Sequence, residues 1–174
     1  MPSMLDLRQS LPLSRRSLVL GGTATLIGAQ TMGVHSSAEA AKAFEVVRTD
    51  AEWRRLLTPA QFDVLRKHGT ERAFSSPLDG EKRAGDYLCA GCDLELYRSA
   101  DKFDSGTGWP SFNRPIEGAV GTSEDKGWFT TRTEVHCGRC GGHHGHVFDD
   151  GPKPTGLRYC MNGVAMKFRP TTAS

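Results

Sequence analysis

Cys137-Gly138-Arg139-Cys140-Gly141-Gly142-His143-His144-Gly145-His146-Val147-Phe148 is the stretch on which the reading of this chain turns. It opens with two cysteines at C-x-x-C spacing and runs straight into three histidines within four positions. A second pair, Cys89 and Cys92, repeats the spacing upstream. Two such knuckles brought together from distant parts of a chain supply four thiolates, the closed tetrahedral shell of one structural Zn²⁺. The competing reading of the same four residues is a pair of disulfides.

Around the knuckles the pattern is one of short strands separated by Gly, Asp, Asn and Pro. Tyr87-Leu88 leads into the first knuckle, residues 127 to 135 read as a strand into the second, and residues 164 to 168 as a closing strand. Residues 106 to 110 and 151 to 156 are loops. Upstream, Thr49-Asp50-Ala51-Glu52 is a capping box followed by Trp53, Leu56 and Leu57 at helical spacing. Thr58-Pro59-Ala60-Gln61 starts a second helix carrying Phe62 and Leu65, with Gly69 as its stop after Lys67 and His68. The expected fold is mainly β and antiparallel, with short N-terminal helices that carry no chemistry and a zinc clip made by the four paired cysteines.

The chain has 174 residues and is 37% hydrophobic, enough for one domain with a modest core. Its formal charge of +2 falls to +1 without residues 1 to 40, which hold Arg8, Arg15 and Arg16 against Asp6 and Glu39. That balance leaves no electrostatic footprint for nucleic acid. Residues 1 to 43 are predicted to be an export signal. Ser14-Arg15-Arg16-Ser17-Leu18-Val19 precedes a weakly apolar run over residues 18 to 34, then small-x-small cleavage choices at Ala38-Glu39-Ala40 and Ala41-Lys42-Ala43. The paired arginines resemble a twin-arginine signal, which exports proteins already folded, so the expected location is periplasmic. The run is short of the ~20 residues that span a bilayer, which leaves no stable membrane association after cleavage. Export of a folded chain also fits zinc, because the thiols can take up metal in a reducing cytosol before reaching an oxidising compartment. Residues 44 to 170 then form the mature domain and residues 171 to 174 a tail. With no long apolar or heptad-patterned helix, a monomer is expected.

The fifth cysteine, Cys160, lies alone within Arg158-Tyr159-Cys160-Met161-Asn162. On a strand Arg158 points to the same side as Cys160, and an adjacent cation favours the reactive thiolate. The structural alternative is a buried free cysteine in a β core. The three histidines, anchored to a knuckle, offer a general acid; the alternatives are further metal ligands or a solvated loop. His35 and His68 receive no role. Trp109, on the loop Gly106-Thr107-Gly108-Trp109-Pro110, either covers the core or walls an apolar ligand site.

Gly69-Thr70-Glu71-Arg72-Ala73-Phe74, the Cys89/Cys92 knuckle, residues 103 to 112 around Trp109, the Cys137/Cys140 knuckle with its histidines, and residues 158 to 162 closely resemble the methionine-R-sulfoxide reductases, the MsrB family, over about residues 44 to 170. The resemblance implies two antiparallel sheets and reduction of the R epimer of methionine sulfoxide in peptides or oxidised proteins. It also implies Cys160 as nucleophile, His143 and His146 as active-site histidines, and Asn162 and Arg158 flanking the nucleophile. Trp109 would hold the substrate methyl group, with Phe148 also on the substrate side, and His144 takes no catalytic part. Many relatives carry a resolving cysteine in the tryptophan loop where this chain has Thr107, so regeneration by an external thiol, a thioredoxin-like protein or a small molecule, is expected. The other classes open to such a sequence are a zinc-ribbon binding module and a C-x-x-C thiol–disulfide oxidoreductase.

Overall fold

The computed structural model describes residues 44 to 127 and 130 to 171. Residues 1 to 43, expected to be an export signal, together with Trp128, Phe129 and residues 172 to 174, lie outside the described residues. Helix α1 (Asp50–Leu56) starts at Thr49, whose hydroxyl accepts the Glu52 amide at 3.3 Å while the Glu52 carboxylate accepts the Thr49 amide at 2.8 Å. Thr58 and Gln61 make the same reciprocal box for α2 (Pro59–Lys67), so each helix start satisfies donors that would otherwise be orphaned. The end of α2 corrects the expected stop: His68, not Gly69, takes the left-handed conformation, with φ 57°. A side chain at Gly69 would run into the Asp63 carboxylate, so the glycine there serves close approach. Together the helices bury Trp53, Phe62, Val64 and Leu65.

Among the described residues nine strands follow: β1 (Gly85–Cys89), β2 (Glu95–Arg98), β3 (Lys102–Phe103), β4 (Ser111–Phe112), β5 (Val120–Lys126), β6 (Thr131–Cys137), β7 (His143–Phe148), β8 (Arg158–Met161) and β9 (Met166–Pro170). They form two antiparallel sheets, one ordered β2-β1-β9 and one ordered β3-β4-β8-β7-β6-β5. The strand expected over residues 127 to 135 begins at Thr131 and continues to Cys137. The closing strand expected over residues 164 to 168 is present as β9 but starts at Met166, after a 3-10 turn over Gly163–Ala165. No helix among the described residues is long and apolar enough to cross a membrane.

The core lies between the sheets. Tyr97 of the small sheet stacks on Phe112 of the large one with centroids 4.3 Å apart, Tyr87 meets the same ring edge-on at 4.9 Å, and the Tyr97 hydroxyl donates to Met161 Sδ at 3.1 Å. Offset and edge contacts of this kind add about 1 kcal/mol each beyond area burial. They also orient β8. Met161 is fully buried and Tyr159 packs on the core, so strand alternation turns Arg158 and Cys160 to the other face.

Candidate active site and metal cluster

The four paired cysteines meet where the two sheets approach. Cys89 ends β1 and Cys92 lies in the turn after it, whereas Cys137 ends β6 and Cys140 lies in the turn before β7. Each knuckle is closed by the same backbone bond, Asp93 N–H to Cys89 O and Gly141 N–H to Cys137 O, both at 2.9 Å. The four sulfurs lie within 4.8 Å of one another, with Cys89–Cys140 at 3.7 Å and Cys92–Cys137 at 3.5 Å, and no disulfide joins them. A tetrahedron with metal–sulfur bonds of about 2.3 Å has edges of about 3.8 Å. The cluster therefore fits a metal ion, and such an ion would tie the small sheet to the large one. His144, fully buried, places Nε2 3.4 Å from Cys89 Sγ, where its N–H can donate to a thiolate. Burial pushes its pKa down to about 3, so the ring is neutral.

On the opposite face of β8, Cys160 opens into a cavity of about 120 Å³ shared with Thr70, Trp109, Arg132, His146, Phe148 and Asn162. Cross-strand pairing places His146 beside Cys160. Gly145, on β7 at φ 153°, has no room for a side chain, because a Cβ would strike the Cys160 carbonyl oxygen. Glu71 locks the far wall. Its carbonyl accepts the Trp109 indole N–H at 3.1 Å and its amide donates to Asn162 Oδ1 at 2.9 Å. Its carboxylate accepts from Gly163 and Val164 at 2.6 and 2.9 Å. Asn162 is held further by donating Nδ2 to the His144 carbonyl at 3.1 Å. Arg158 forks onto Asp150 with two bonds of 2.8 Å and lies over Phe148, 4.4 Å from the ring centroid.

The histidines part company. A register shift in the β6–β7 pairing and the contacts that follow put His143 and His146 on the side of Glu134, with their rings 5.4 Å apart, and send His144 to the cysteine cluster. His146 Nε2 is 2.7 Å from Asp125 Oδ2, which Arg132 also reaches at 2.8 Å. His146 first, and then Arg132, hold the Asp125 carboxyl below its usual value. His143 does not line the cavity. It is buried, with Nδ1 2.7 Å from Glu134 Oε1, and His68 Nδ1 approaches the same oxygen at 3.1 Å. Ser123 occupies the other Glu134 oxygen at 2.5 Å. The end of α2 brings His68 to the Glu134–His143 pair, outside the residues that line the Cys160 cavity. Asp125, Arg132 and Glu134 carried no signal in the sequence, since strand pairing brings them beside the histidines, and His68 arrives through the packing of α2.

The expected depression of Cys160 is also corrected. Burial pushes its thiol up, and Thr107, Arg158 and Ser111 only partly offset that. Burial likewise lowers His143, against the opposing pull of Glu134. An unfolded histidine takes up a proton near 6.5, whereas buried His143 does so only further down. The unfolded state binds more protons in that window, so stability falls as pH drops below about 6.5. Melting temperatures measured between pH 7.5 and 5 should decline, and His143→Gln should flatten the decline.

A larger cavity, about 510 Å³, lies on the other side of the Thr70–Glu71 wall among Val64, Leu78, Val164 and Phe168. It contains no cysteine or histidine, so size does not mark the chemistry.

Fold and site define a class: a two-sheet β domain with a four-thiol cluster and a separate lone thiol facing an aromatic and a histidine. Comparison with known proteins gives the family. Residues 57 to 170 match the SelR domain. The chain is 52% identical over 127 residues to the peptide methionine sulfoxide reductase MsrB of Agrobacterium fabrum, covering 72% of this chain and 94% of that protein. It is 47% identical over 127 residues to the MsrB of Leptospira interrogans, with 72% and 97% coverage. To that of Methanosarcina barkeri it is 52% identical over 125 residues, with 71% and 88% coverage. The chain belongs to the SelR-domain family of MsrB peptide methionine sulfoxide reductases.

Proposed function

We propose that this protein reduces the R epimer of methionine sulfoxide in peptides and oxidised proteins, with Cys160 as the nucleophile. The observation that carries the reading is the shared cavity of Cys160, His146, Trp109, Phe148 and Asn162 in a chain of this family. A sulfoxide offers an electrophilic sulfur and a basic oxygen, so reduction needs thiolate attack and a proton at the oxygen together. In this reading His146, which lines the cavity, gives that proton, and Asp125 orients the ring through Nε2. The substrate S–O bond breaks, an S–O bond forms on Cys160, and the substrate sulfur gains the electron pair that Cys160 gives up. Methionine leaves, and Cys160 is left as a sulfenic acid. Trp109 and Phe148 bracket the apolar arm of the substrate, and the opposite wall is polar, which sets the handedness of the sulfur that fits.

Thr107 Oγ1 lies 3.9 Å from Cys160 Sγ, so the loop position against the nucleophile holds a hydroxyl and no resolving thiol. The remaining cysteines are gathered in the metal cluster. An external thiol, from a thioredoxin-like protein or a small molecule, therefore returns Cys160 to its starting state. The same gathering disfavours a C-x-x-C oxidoreductase, whose thiols must be free to cycle. Cys89, Cys92, Cys137 and Cys140 would hold one Zn²⁺, which when bound supplies folding energy and no catalytic step. Export by a twin-arginine signal over residues 1 to 43 and a periplasmic, monomeric mature protein complete the reading.

Dithiothreitol-dependent turnover of separated R and S epimers of a methionine sulfoxide peptide tests it. Turnover of R alone is expected, and S turnover or none with folded, metal-loaded protein would refute it. Mass spectrometry after one turnover without reductant should find one added oxygen on Cys160. An intramolecular disulfide there would overturn the external-thiol step.

A further inference from the structure

Three hydroxyls run in a continuous line from the sulfur of Cys160. Thr107 Oγ1 is 3.9 Å from Cys160 Sγ, Ser105 Oγ is 2.8 Å from Thr107 Oγ1, and Ser111 Oγ is 2.7 Å from Ser105 Oγ. The far end meets a fixed acceptor, the Trp109 carbonyl, 3.1 Å from Ser111 Oγ. Ser111 is fully buried and is the cross-strand partner of Cys160 on β4, so the line is anchored on the sheet at both ends. We propose that Thr107, Ser105 and Ser111 are positioning residues for the reductase reaction, a reversible hydroxyl chain that hydrogen-bonds the Cys160 sulfur in both its thiol and its thiolate form.

Counting protons shows why the chain is reversible. Each hydroxyl has one proton to give and can also accept. With a thiol, S–H donates to Thr107, Thr107 to Ser105, Ser105 to Ser111, and Ser111 to the Trp109 carbonyl, so every proton has an acceptor. With a thiolate the line turns round: Ser111 donates to Ser105, Ser105 to Thr107, and Thr107 to the sulfur. Only hydroxyl rotors move, and no heavy atom shifts. A buried thiolate gains most from such donors, because the same burial that disfavours its charge strengthens each bond made to it. A cysteine at position 107 would interrupt the line with a weak donor. In this chain the place against the nucleophile is therefore used to stabilise the reacting sulfur. The other titratable or charged groups facing the sulfur are Arg158 on β8, His146 on β7 and Arg132 on β6.

The inference rests on Cys160 being the nucleophile, but its test does not depend on turnover. The rate of iodoacetamide alkylation at Cys160, located by mass spectrometry in the metal-loaded protein, is followed from pH 6 to 10. Thr107→Val should slow alkylation at pH 7.5 by about threefold to tenfold and move the midpoint upward, with the same plateau at high pH, whereas Thr107→Ser should follow the parent protein. Ser105→Ala, which leaves the sulfur's direct neighbour in place, should give the same shift at about half the size. Unchanged midpoints in Thr107→Val and Ser105→Ala would overturn the proposal, as would a lowered plateau rescued by neither serine nor time. Absence of R-epimer turnover with normal alkylation shifts would instead count against the reductase reading alone.

Discussion

Replacing Cys160 by serine is expected to lower turnover of an R-methionine sulfoxide peptide by on the order of 10⁴-fold or more, with the fold and metal content retained. The size follows from two separate losses. A serine hydroxyl at neutral pH is almost never an alkoxide, and oxygen transfer to it would leave a hydroperoxide where cysteine leaves a sulfenic acid. At least about 5 kcal/mol of transition-state stabilisation disappears. The fold should be indifferent, since Cys160 is only partly buried and faces the cavity while its neighbours Tyr159 and Met161 supply the core contacts. Steady-state assays at high enzyme concentration, paired with a thermal melt, measure both halves of the expectation. Residual activity within tenfold of the parent would point to another nucleophile.

Cys137→Ser should produce the complementary pattern, loss of metal and a large loss of stability. Cys137 is fully buried at the end of β6, and its sulfur is 3.5 Å from that of Cys92 in the turn after β1. A serine there would break the four-thiolate shell proposed for the metal and with it the tie between the sheets. The helices and the aromatic core remain, so the domain should weaken by about 3–5 kcal/mol, a fall of roughly 10–20 °C in melting temperature. Metal content by mass spectrometry together with calorimetry decides the matter. Stoichiometric metal and an unchanged melt in Cys137→Ser would show that the cluster is not the structural centre.

The parts of this molecule that were readable in the sequence are those whose cause is local or chemically specific. Thr49 and Thr58 announce helix starts because a capping box is closed within four residues. The C-x-x-C pairs declare their partnership because four thiolates at that spacing have few other uses. What stayed hidden depends on long-range pairing. Strand β5 is a mostly exposed edge whose Ser123-Glu124-Asp125-Lys126 run shows no apolar alternation, yet it delivers Ser123 to Glu134 and Asp125 to His146. The register shift opposite His136 separates the roles of three adjacent histidines, and no periodicity rule foresees a shift of that kind. His68 belongs to a helix end by sequence and to the Glu134 cluster only through the packing of α2 on β7.

The cavity at Cys160 imposes an order of service. At about 120 Å³ it has room for one oxidised side chain, and the external thiol proposed above would have to reach Cys160 through the same cavity. On that proposal substrate and reductant would take turns, each leaving before the other arrives, with the oxygen atom held on the protein between the two visits. Such a device works by double displacement, so that a shortage of reductant stalls it in the oxidised form while its clients have already been released repaired.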